Sequence, residues 1–198
     1  MVLSLGHRMA KAHARLRTNQ VCGDGRTCLI GLPGSGKSTI GRQLAARLNL
    51  AFHDSDSVIE RQLGCSIREF FEREGEAAFR DIEHAVMEEL TQKSDCVIST
   101  GGGVILHPGN REMLRLRCHT VYLHSQPEEI FRRLRHDRNR PLLQVPDPFA
   151  KLQQLYAARD PLYRETAHFV AETGRPSISS VIQTIIAQLE PKDQNPPA

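Results

Sequence analysis

The chain has 198 residues, of which 39% are hydrophobic and 25% charged, which is enough apolar material for one folded domain and too little charge bias for global disorder. It contains no run of about 18 apolar residues that could span a membrane, and it has no Trp and few other aromatic residues to stack on nucleic-acid bases. The formal net charge of +3 comes from residues 1–20, which carry Arg8, Lys11, Arg15 and Arg17 and no acid. The remaining residues hold 22 basic and 23 acidic side chains, so bulk charge does not predict nucleic-acid binding.

The two ends of the chain differ in composition from the residues between them. We expect a basic, disordered arm over 1–22, a single domain over 23–190 and a flexible Pro-rich tail over 191–198. The arm lacks the apolar stretch of a secretory signal; an organelle transit peptide and a later start at Met9 are alternatives. The five cysteines are odd in number and form no C-x-x-C pair, so we expect reduced thiols and a cytoplasmic protein.

Short apolar strands alternate with helical segments along the domain. The predicted strands are 26–31, 50–53, 96–100, 119–123 and 167–170. The predicted helices are 37–49, 76–92, 127–135, 149–159 with a continuation beyond Pro161, and 177–189, with capping boxes starting at Ser57 and Ser66. This alternation predicts an α/β protein, a three-layer α/β/α fold with a five-stranded parallel sheet. Ligands of such sheets bind beyond the carboxyl ends of the strands.

The segment after the first predicted strand, G-L-P-G-S-G-K-S over 31–38, matches the phosphate-loop (P-loop) pattern G-x-x-x-x-G-K-[ST]. Its glycines allow backbone N–H groups to surround phosphate oxygens, and the following helix presents its positive end. In such loops the lysine contacts the β- and γ-phosphates and the serine hydroxyl binds Mg²⁺. No N-K-x-D-like guanine signal is present, which favours ATP. The predicted nucleotide-binding residues are Gly34, Ser35, Gly36, Lys37, Ser38 and Thr39, with Ser38 also a metal ligand.

Two carboxylates, Asp54 and Asp56, follow the second predicted strand. In an extended segment, residues i and i+2 face the same side, so both side chains could face the crevice. One would then belong to the Mg²⁺ shell, and the other would accept a proton from an attacking hydroxyl. The alternative is that these residues cap the following helix.

Six motifs occur in the order seen in shikimate kinases, over about residues 26–175. They are G-L-P-G-S-G-K-S-T-I-G-R, D-S-D, A-A-F-R-D-I-E, S-T-G-G-G, R-N-R-P-L-L and R-D-P-L-Y-R-E-T-A. The chain therefore resembles the shikimate kinase family. The resemblance implies ATP- and Mg²⁺-dependent phosphorylation of the shikimate 3-hydroxyl in aromatic amino acid biosynthesis, with a substrate-binding segment over about 54–92 and a mobile lid over about 136–149.

The resemblance also implies roles for single residues. Asp56 would bind the substrate hydroxyls and act as the base, and Asp54 would lie in the outer Mg²⁺ shell. Arg80 and Arg164 would bind the substrate carboxylate with planar guanidinium groups. Gly102 would offer its backbone N–H to the substrate.

Each of these roles has a structural alternative. Arg80 lies between Glu76 and Glu83 at helical spacing, which is also typical of a solvated ion pair. Arg164 has Glu165 beside it, and the glycines over 101–103 could simply end a strand.

An arginine-rich segment precedes Pro141. We interpret it as part of the lid, in which Arg140 of the R-P-L-L motif would act catalytically on the transferred phosphoryl group and bind the nucleotide. A nucleic-acid patch and a solvated helix end are the alternatives. Arg133 and Arg175 are candidates for contacts with adenine.

Two other functions compete with a shikimate kinase. One is a gluconate-kinase-like small-molecule kinase, which also has a P-loop followed by an acidic strand end. The other is a non-catalytic, nucleotide-gated module that binds a partner through the arm and the arginines. We expect a monomer whose partner is the small-molecule substrate, with no nucleic-acid or membrane partner.

Overall fold

The computed structural model describes residues 25–135 and 145–190. Its strands in chain order are β1 (Thr27–Ile30), β2 (Ala51–Asp54), β3 (Cys96–Ser99), β4 (His119–His124) and β5 (Phe169–Glu172). They form one five-stranded sheet in the order β2-β3-β1-β4-β5, and all four pairings are parallel. The order reverses around the central strand β1, and this places a crevice beyond its carboxyl end.

Helices cover both faces of this sheet. They are α1 (Lys37–Leu48), α2 (Ser55–Leu63), α3 (Ile67–Leu90), α4 (Pro108–Arg117), α5 (Pro127–Leu134), α6 (Pro148–Thr166) and α7 (Ile178–Leu189), with a 3₁₀ turn over Val104–Leu106. Side chains of α1 and α7 pack on one face, and side chains of α2 to α6 pack on the other. The predicted three-layer α/β/α fold with a five-stranded parallel sheet is confirmed.

The core consists of two apolar clusters because successive strand residues point to opposite faces of the sheet. On β1, Cys28 and Ile30 belong to the cluster under α2 to α6, whereas Leu29 belongs to the cluster under α1 and α7. On β3, Ile98 belongs to the cluster under α2 to α6, and Val97 belongs to the cluster under α1 and α7. Strands buried on both faces read as continuous apolar runs, and this is why the strands could be predicted.

The structure corrects one predicted helix start and confirms another. Ser57 does not cap a helix: α2 begins at Ser55, and the side chain of Asp54 accepts the N–H of Ser57. The predicted capping box of Ser66 with Glu69 is present and starts α3 at Ile67. Non-helical backbone at Gly75 (φ 83°, ψ 175°) divides α3 at the point where the sequence predicted a second helix to begin, at about residue 76.

Three further differences lie in the second half of the chain. Helix α4 was not predicted, because its mainly polar sequence P-G-N-R-E-M-L-R-L-R shows little apolar periodicity. Helix α6 continues through Pro161 without a break, and β5 starts two residues later than predicted. The predicted arm and tail, and residues 136–144 of the predicted lid, lie outside the described residues.

Candidate active site

The phosphate loop connects β1 to α1 at the carboxyl edge of the sheet. Gly34 (φ 84°) and Gly36 (φ 94°) adopt left-handed backbone that L side chains rarely adopt. The side chain of Lys37 is buried and lies along the inside of the loop, where its Nζ donates to the carbonyls of Gly31 and Leu32, each at 2.9 Å. The N-cap of α1 is Gly36, which makes no side-chain cap, so the first turn of α1 presents backbone N–H groups to an anion.

Two adjoining cavities open from this loop and share Gly34, Gly36 and Thr39. The first has a volume of about 330 Å³ and is lined in part by Lys37, Ser38, Asp54, Asp56 and Gly102. The second has a volume of about 430 Å³ and is lined in part by Ser35, Ile40, Arg133, Thr173, Gly174 and Pro176. A ligand with a phosphate chain could therefore lie along the loop and extend in both directions.

Arg133, one of the two candidates for adenine contacts, lines the second cavity. Its guanidinium donates to the carbonyl of Thr173 and to that of Gly174 at 3.3 Å, which ties α5 to the segment after β5. Arg175, the other candidate, is exposed and does not line this cavity.

The two carboxylates line the first cavity, but not through the predicted backbone. Asp54 ends β2, whereas Asp56 lies in the first turn of α2. One oxygen of Asp54 caps α2, and the other accepts the Ser38 hydroxyl at 2.6 Å. Asp54 therefore both caps α2 and lines the cavity beside Ser38, two roles that the sequence presented as alternatives. Ser99 places a second hydroxyl 3.3 Å from that of Ser38.

The carboxyl of Asp56 has a raised pKa. Burial, reinforced by the negative charge of Asp54, raises the pKa of the Asp56 carboxyl to about 6, although Lys37 acts in the opposite direction. A carboxyl with a pKa near 6 is a stronger base than an ordinary aspartate.

Site residues approach the three glycines over 101–103 closely. A Cβ on Gly101 would lie 2.7 Å from Oδ1 of Asp56, and one on Gly102 would lie 2.8 Å from Cδ of Pro33 in the phosphate loop. A Cβ on Gly103 would overlap the guanidinium of Arg80. The glycine run is thus packed between the phosphate loop, the candidate base and a candidate substrate arginine.

Arg80 is held by two acids of its own helix. Its Nη1 lies 2.7 Å from Glu83, which is 1% exposed, and its Nη2 lies 2.9 Å from Glu76. Burial alone would lower the pKa of Arg80, but the hydrogen bonds and charges of Glu83 and Glu76 outweigh it and raise that pKa. The Arg80 side chain is only 17% exposed, so its pair with Glu83 is not the solvated surface pair of the alternative interpretation.

The structure does not bring Arg164 to this cluster. Its Nε donates to Asp160 at 2.8 Å, and its side chain is 46% exposed. Glu165, the partner considered from sequence, is not the acid that it pairs with. Arg159 faces the cluster instead, because its Nη1 donates to the carbonyl of Gly102 at 3.2 Å.

Helical spacing could have identified Arg159. Tyr163 is one turn further along α6, is fully buried, and donates its hydroxyl to the same Gly102 carbonyl at 2.5 Å. Residues i and i+4 lie on one helix face, so the face of Tyr163 also presents Arg159. Arg164 and Asp160 share a different face.

Arg140, the predicted lid arginine, lies outside the described residues. Within the described ranges, no group of three or more His, Cys, Asp or Glu side chains could hold a metal ion. A phosphate-loop Mg²⁺ needs no such group, because it is bound by few protein oxygens together with phosphates and water. In the same ranges, no helix is long and apolar enough to cross a bilayer.

A P-loop on a parallel sheet, with a carboxylate of raised pKa in the same cavity and two guanidinium groups beside the glycine run, defines a small-molecule kinase of the P-loop class. Residues 33–190 match the family model described as shikimate kinase. The shikimate kinase of Paracidovorax citrulli is 57% identical over 173 residues, which cover 86% of this chain and 94% of that protein. The chain belongs to the shikimate kinase family.

Solved structures agree with this assignment. The shikimate kinase from Acinetobacter baumannii in complex with shikimate superposes with a TM-score of 0.79 at 44% identity, covering 83% of this chain and 92% of that one. A gluconokinase from Sinorhizobium meliloti superposes with a TM-score of 0.53 at 17% identity, covering 85% and 93%. The second likeness shows a shared fold alone.

Proposed function

We propose that this chain transfers the γ-phosphoryl group of ATP to the 3-hydroxyl of shikimate, giving shikimate 3-phosphate and ADP. The observation that carries the proposal is that the Asp56 carboxylate and the phosphate loop line the same cavity, with Arg80 and Arg159 around the adjoining glycine run. Family membership supports the same activity.

The acceptor side suits a cyclic polyol that carries one carboxylate. Arg80 and Arg159 each have five N–H donors, of which their protein partners use only some. The remaining donors bind the shikimate carboxylate. We therefore assign this role to Arg159 in place of Arg164. Asp56 accepts hydrogen bonds from the substrate hydroxyls, and Gly102 donates its backbone N–H.

The nucleotide side suits a triphosphate. Backbone N–H groups of the phosphate loop, from Gly34 to Thr39, surround the phosphate oxygens, and Lys37 places its positive charge beside the β- and γ-phosphates. Arg133 lies where the base or ribose would end. Arg140 completes the binding of the transferred phosphoryl group in this proposal.

The oxygen donors near the loop fit Mg²⁺, which prefers hydroxyl, carboxylate and water oxygens. The Ser38 hydroxyl and the Asp54 carboxylate, 2.6 Å apart, would hold it, Ser38 directly and Asp54 in the outer shell. When bound, the ion would neutralise negative charge on the phosphates.

Asp56 does the proton transfer. It takes the proton of the shikimate 3-hydroxyl as that oxygen forms its bond to the γ-phosphorus, while the bond to the bridging oxygen of ADP breaks. Lys37 stabilises the negative charge that develops on the phosphate oxygens.

We further propose that the protein acts as a monomer in the cytoplasm. The described cysteines, Cys28, Cys65, Cys96 and Cys118, are free thiols, as expected in a reducing compartment. The large apolar side chains exposed on the described surface are Leu106, Leu116 and Ile178, and they lie on three different elements.

A substrate panel tests the proposed activity. Purified protein with ATP and Mg²⁺ is assayed for ADP release with shikimate, quinate, gluconate and nucleoside monophosphates as acceptors. We expect shikimate to give the highest kcat/KM. Preference for gluconate would favour the gluconate-kinase-like alternative, and absence of turnover with every acceptor would favour the non-catalytic module.

A further inference from the structure

We propose that Tyr163 is a positioning residue that fixes the Gly102–Gly103 peptide and so restrains the backbone of Gly102, whose N–H contacts the acceptor alcohol. The inference rests on the proposed function and assigns a specificity role to a side chain that lies behind the glycine run.

The Gly102 carbonyl accepts two hydrogen bonds from α6. The Tyr163 hydroxyl lies 2.5 Å from it, and Nη1 of Arg159 lies 3.2 Å from it. A carbonyl oxygen has two lone pairs, so these donors satisfy it fully. Because Gly102 lines the cavity that also holds Asp56, both donors act on the wall of the acceptor site.

The Tyr163 hydroxyl is itself held rigidly. Its side chain is fully buried, and its ring stacks on Tyr122 with centroids 4.9 Å apart and an interplanar angle of 25°. The Tyr122 hydroxyl donates its hydrogen bond to Asp160, at 2.9 Å, and not to Gly102. Burial raises the pKa of Tyr163 well above its ordinary value, so this hydroxyl stays protonated and acts as a donor.

Orientation of this peptide matters because three successive glycines are the least restricted backbone that a chain can have. In a trans peptide the C=O of Gly102 and the N–H of Gly103 point in opposite directions. Holding the carbonyl toward α6 therefore also sets the direction of the Gly103 N–H. The same peptide lies between Pro33 and Arg80, so its rotation would disturb both contacts.

The test compares two variants that each remove one buried tyrosine hydroxyl from the same ring stack, Tyr163→Phe and Tyr122→Phe. Without the Tyr163 hydroxyl the Gly102 carbonyl keeps only the Arg159 donor, so the peptide is held less firmly in the wall of the acceptor site. We expect Tyr163→Phe to raise the KM for shikimate about tenfold and to change the KM for ATP less than twofold. Tyr122→Phe should change both KM values less than twofold.

A third variant keeps a donor at the same position. Replacing Tyr163 by 4-aminophenylalanine should return the shikimate KM to within about threefold of the unmodified protein. Thermal melting by circular dichroism shows which variants fold. The aminophenylalanine variant remains informative even if Tyr163→Phe does not fold.

Three outcomes would overturn the positioning role: an unchanged shikimate KM in Tyr163→Phe, equal effects of the two Phe variants, or an aminophenylalanine variant with a tenfold raised shikimate KM. Failure of the proposed function is seen separately, as lack of shikimate turnover by the unmodified protein. In that case the same KM comparison is made with the acceptor that the panel identifies.

Discussion

The nucleotide side and the acceptor side of the site are assembled in different ways. The phosphate loop is one continuous segment, in which the residues that surround the phosphates are neighbours in sequence and Lys37 bonds to the loop's own carbonyls. The acceptor side is assembled from four separate segments: the start of α2, the middle of α3, the glycine run after β3 and one face of α6.

This difference has a consequence for how each side responds to substitution. Changes in the phosphate loop act on a local structure and should affect turnover directly. Changes on the acceptor side, apart from the proposed base Asp56, act through packing between segments and should appear first in the KM for the acceptor. The variants below test this contrast.

Lys37→Met is expected to have the largest effect. It removes the positive charge that stabilises the transferred phosphoryl group, and kcat should fall roughly 10²–10³-fold. Lys151→Met, which removes a charge from an exposed position of α6, is the matched control and should leave kcat unchanged. A fall of less than tenfold in Lys37→Met would contradict the proposed role.

Asp56→Asn should lower kcat by about 10²-fold or more, because the base is lost. Asp81→Asn, on the exposed side of α3, is the control and should retain full activity. Activity close to that of the unmodified protein in Asp56→Asn would remove Asp56 from the reaction.

The same substitution should stabilise the metal-free protein. The pKa of Asp56 rises from 3.8 to about 6 on folding, so the folded state binds the proton more tightly and the ionised carboxylate destabilises it at pH 7. Asp56→Asn should then raise the free energy of unfolding by about 1–3 kcal/mol at pH 7 and much less near pH 4. Urea denaturation with a chelator present measures this difference, and an equal effect at both pH values would count against it.

The R-D-P-L-Y-R motif contains two arginines that could bind the shikimate carboxylate. We propose Arg159, whereas the sequence predicted Arg164. Arg159→Met should raise the KM for shikimate about 30-fold, in line with the loss of a hydrogen bond to a charged group. Arg164→Met should change it less than threefold, because that side chain pairs with Asp160 away from the glycine run. Steady-state kinetics measures both KM values. A larger rise in Arg164→Met than in Arg159→Met would favour Arg164 as the carboxylate-binding residue.

Gly103→Ala should have the smallest effect of the set. The added Cβ overlaps the end of the Arg80 side chain, which can move, so the shikimate KM should rise about tenfold with little loss of stability. Gly64→Ala is a contrasting control: nothing lies within 4 Å of its Cβ, but φ of 67° costs about 1 kcal/mol of stability. A raised shikimate KM in Gly64→Ala would show that the effect is not specific to the glycine run.

Several acceptor residues could be predicted from sequence only through a family resemblance. Asp56 was predicted from its position after a strand, yet the extended geometry used for it was wrong, because α2 begins between the two carboxylates. The motif did not separate Arg159 from Arg164, because two arginines five residues apart both fit it, and only the packing of α6 against the glycine run distinguishes them.

The sequence by itself determined the parallel sheet, its two-sided burial and the phosphate loop. These depend on apolar runs, helical periodicity and glycine positions, which act over a few neighbouring residues. The tertiary structure alone decided which arginine meets the glycine run, how the Gly102 carbonyl is held and how far the pKa of Asp56 rises. Those properties arise from segments distant in the chain that become neighbours only when the helices pack on the sheet.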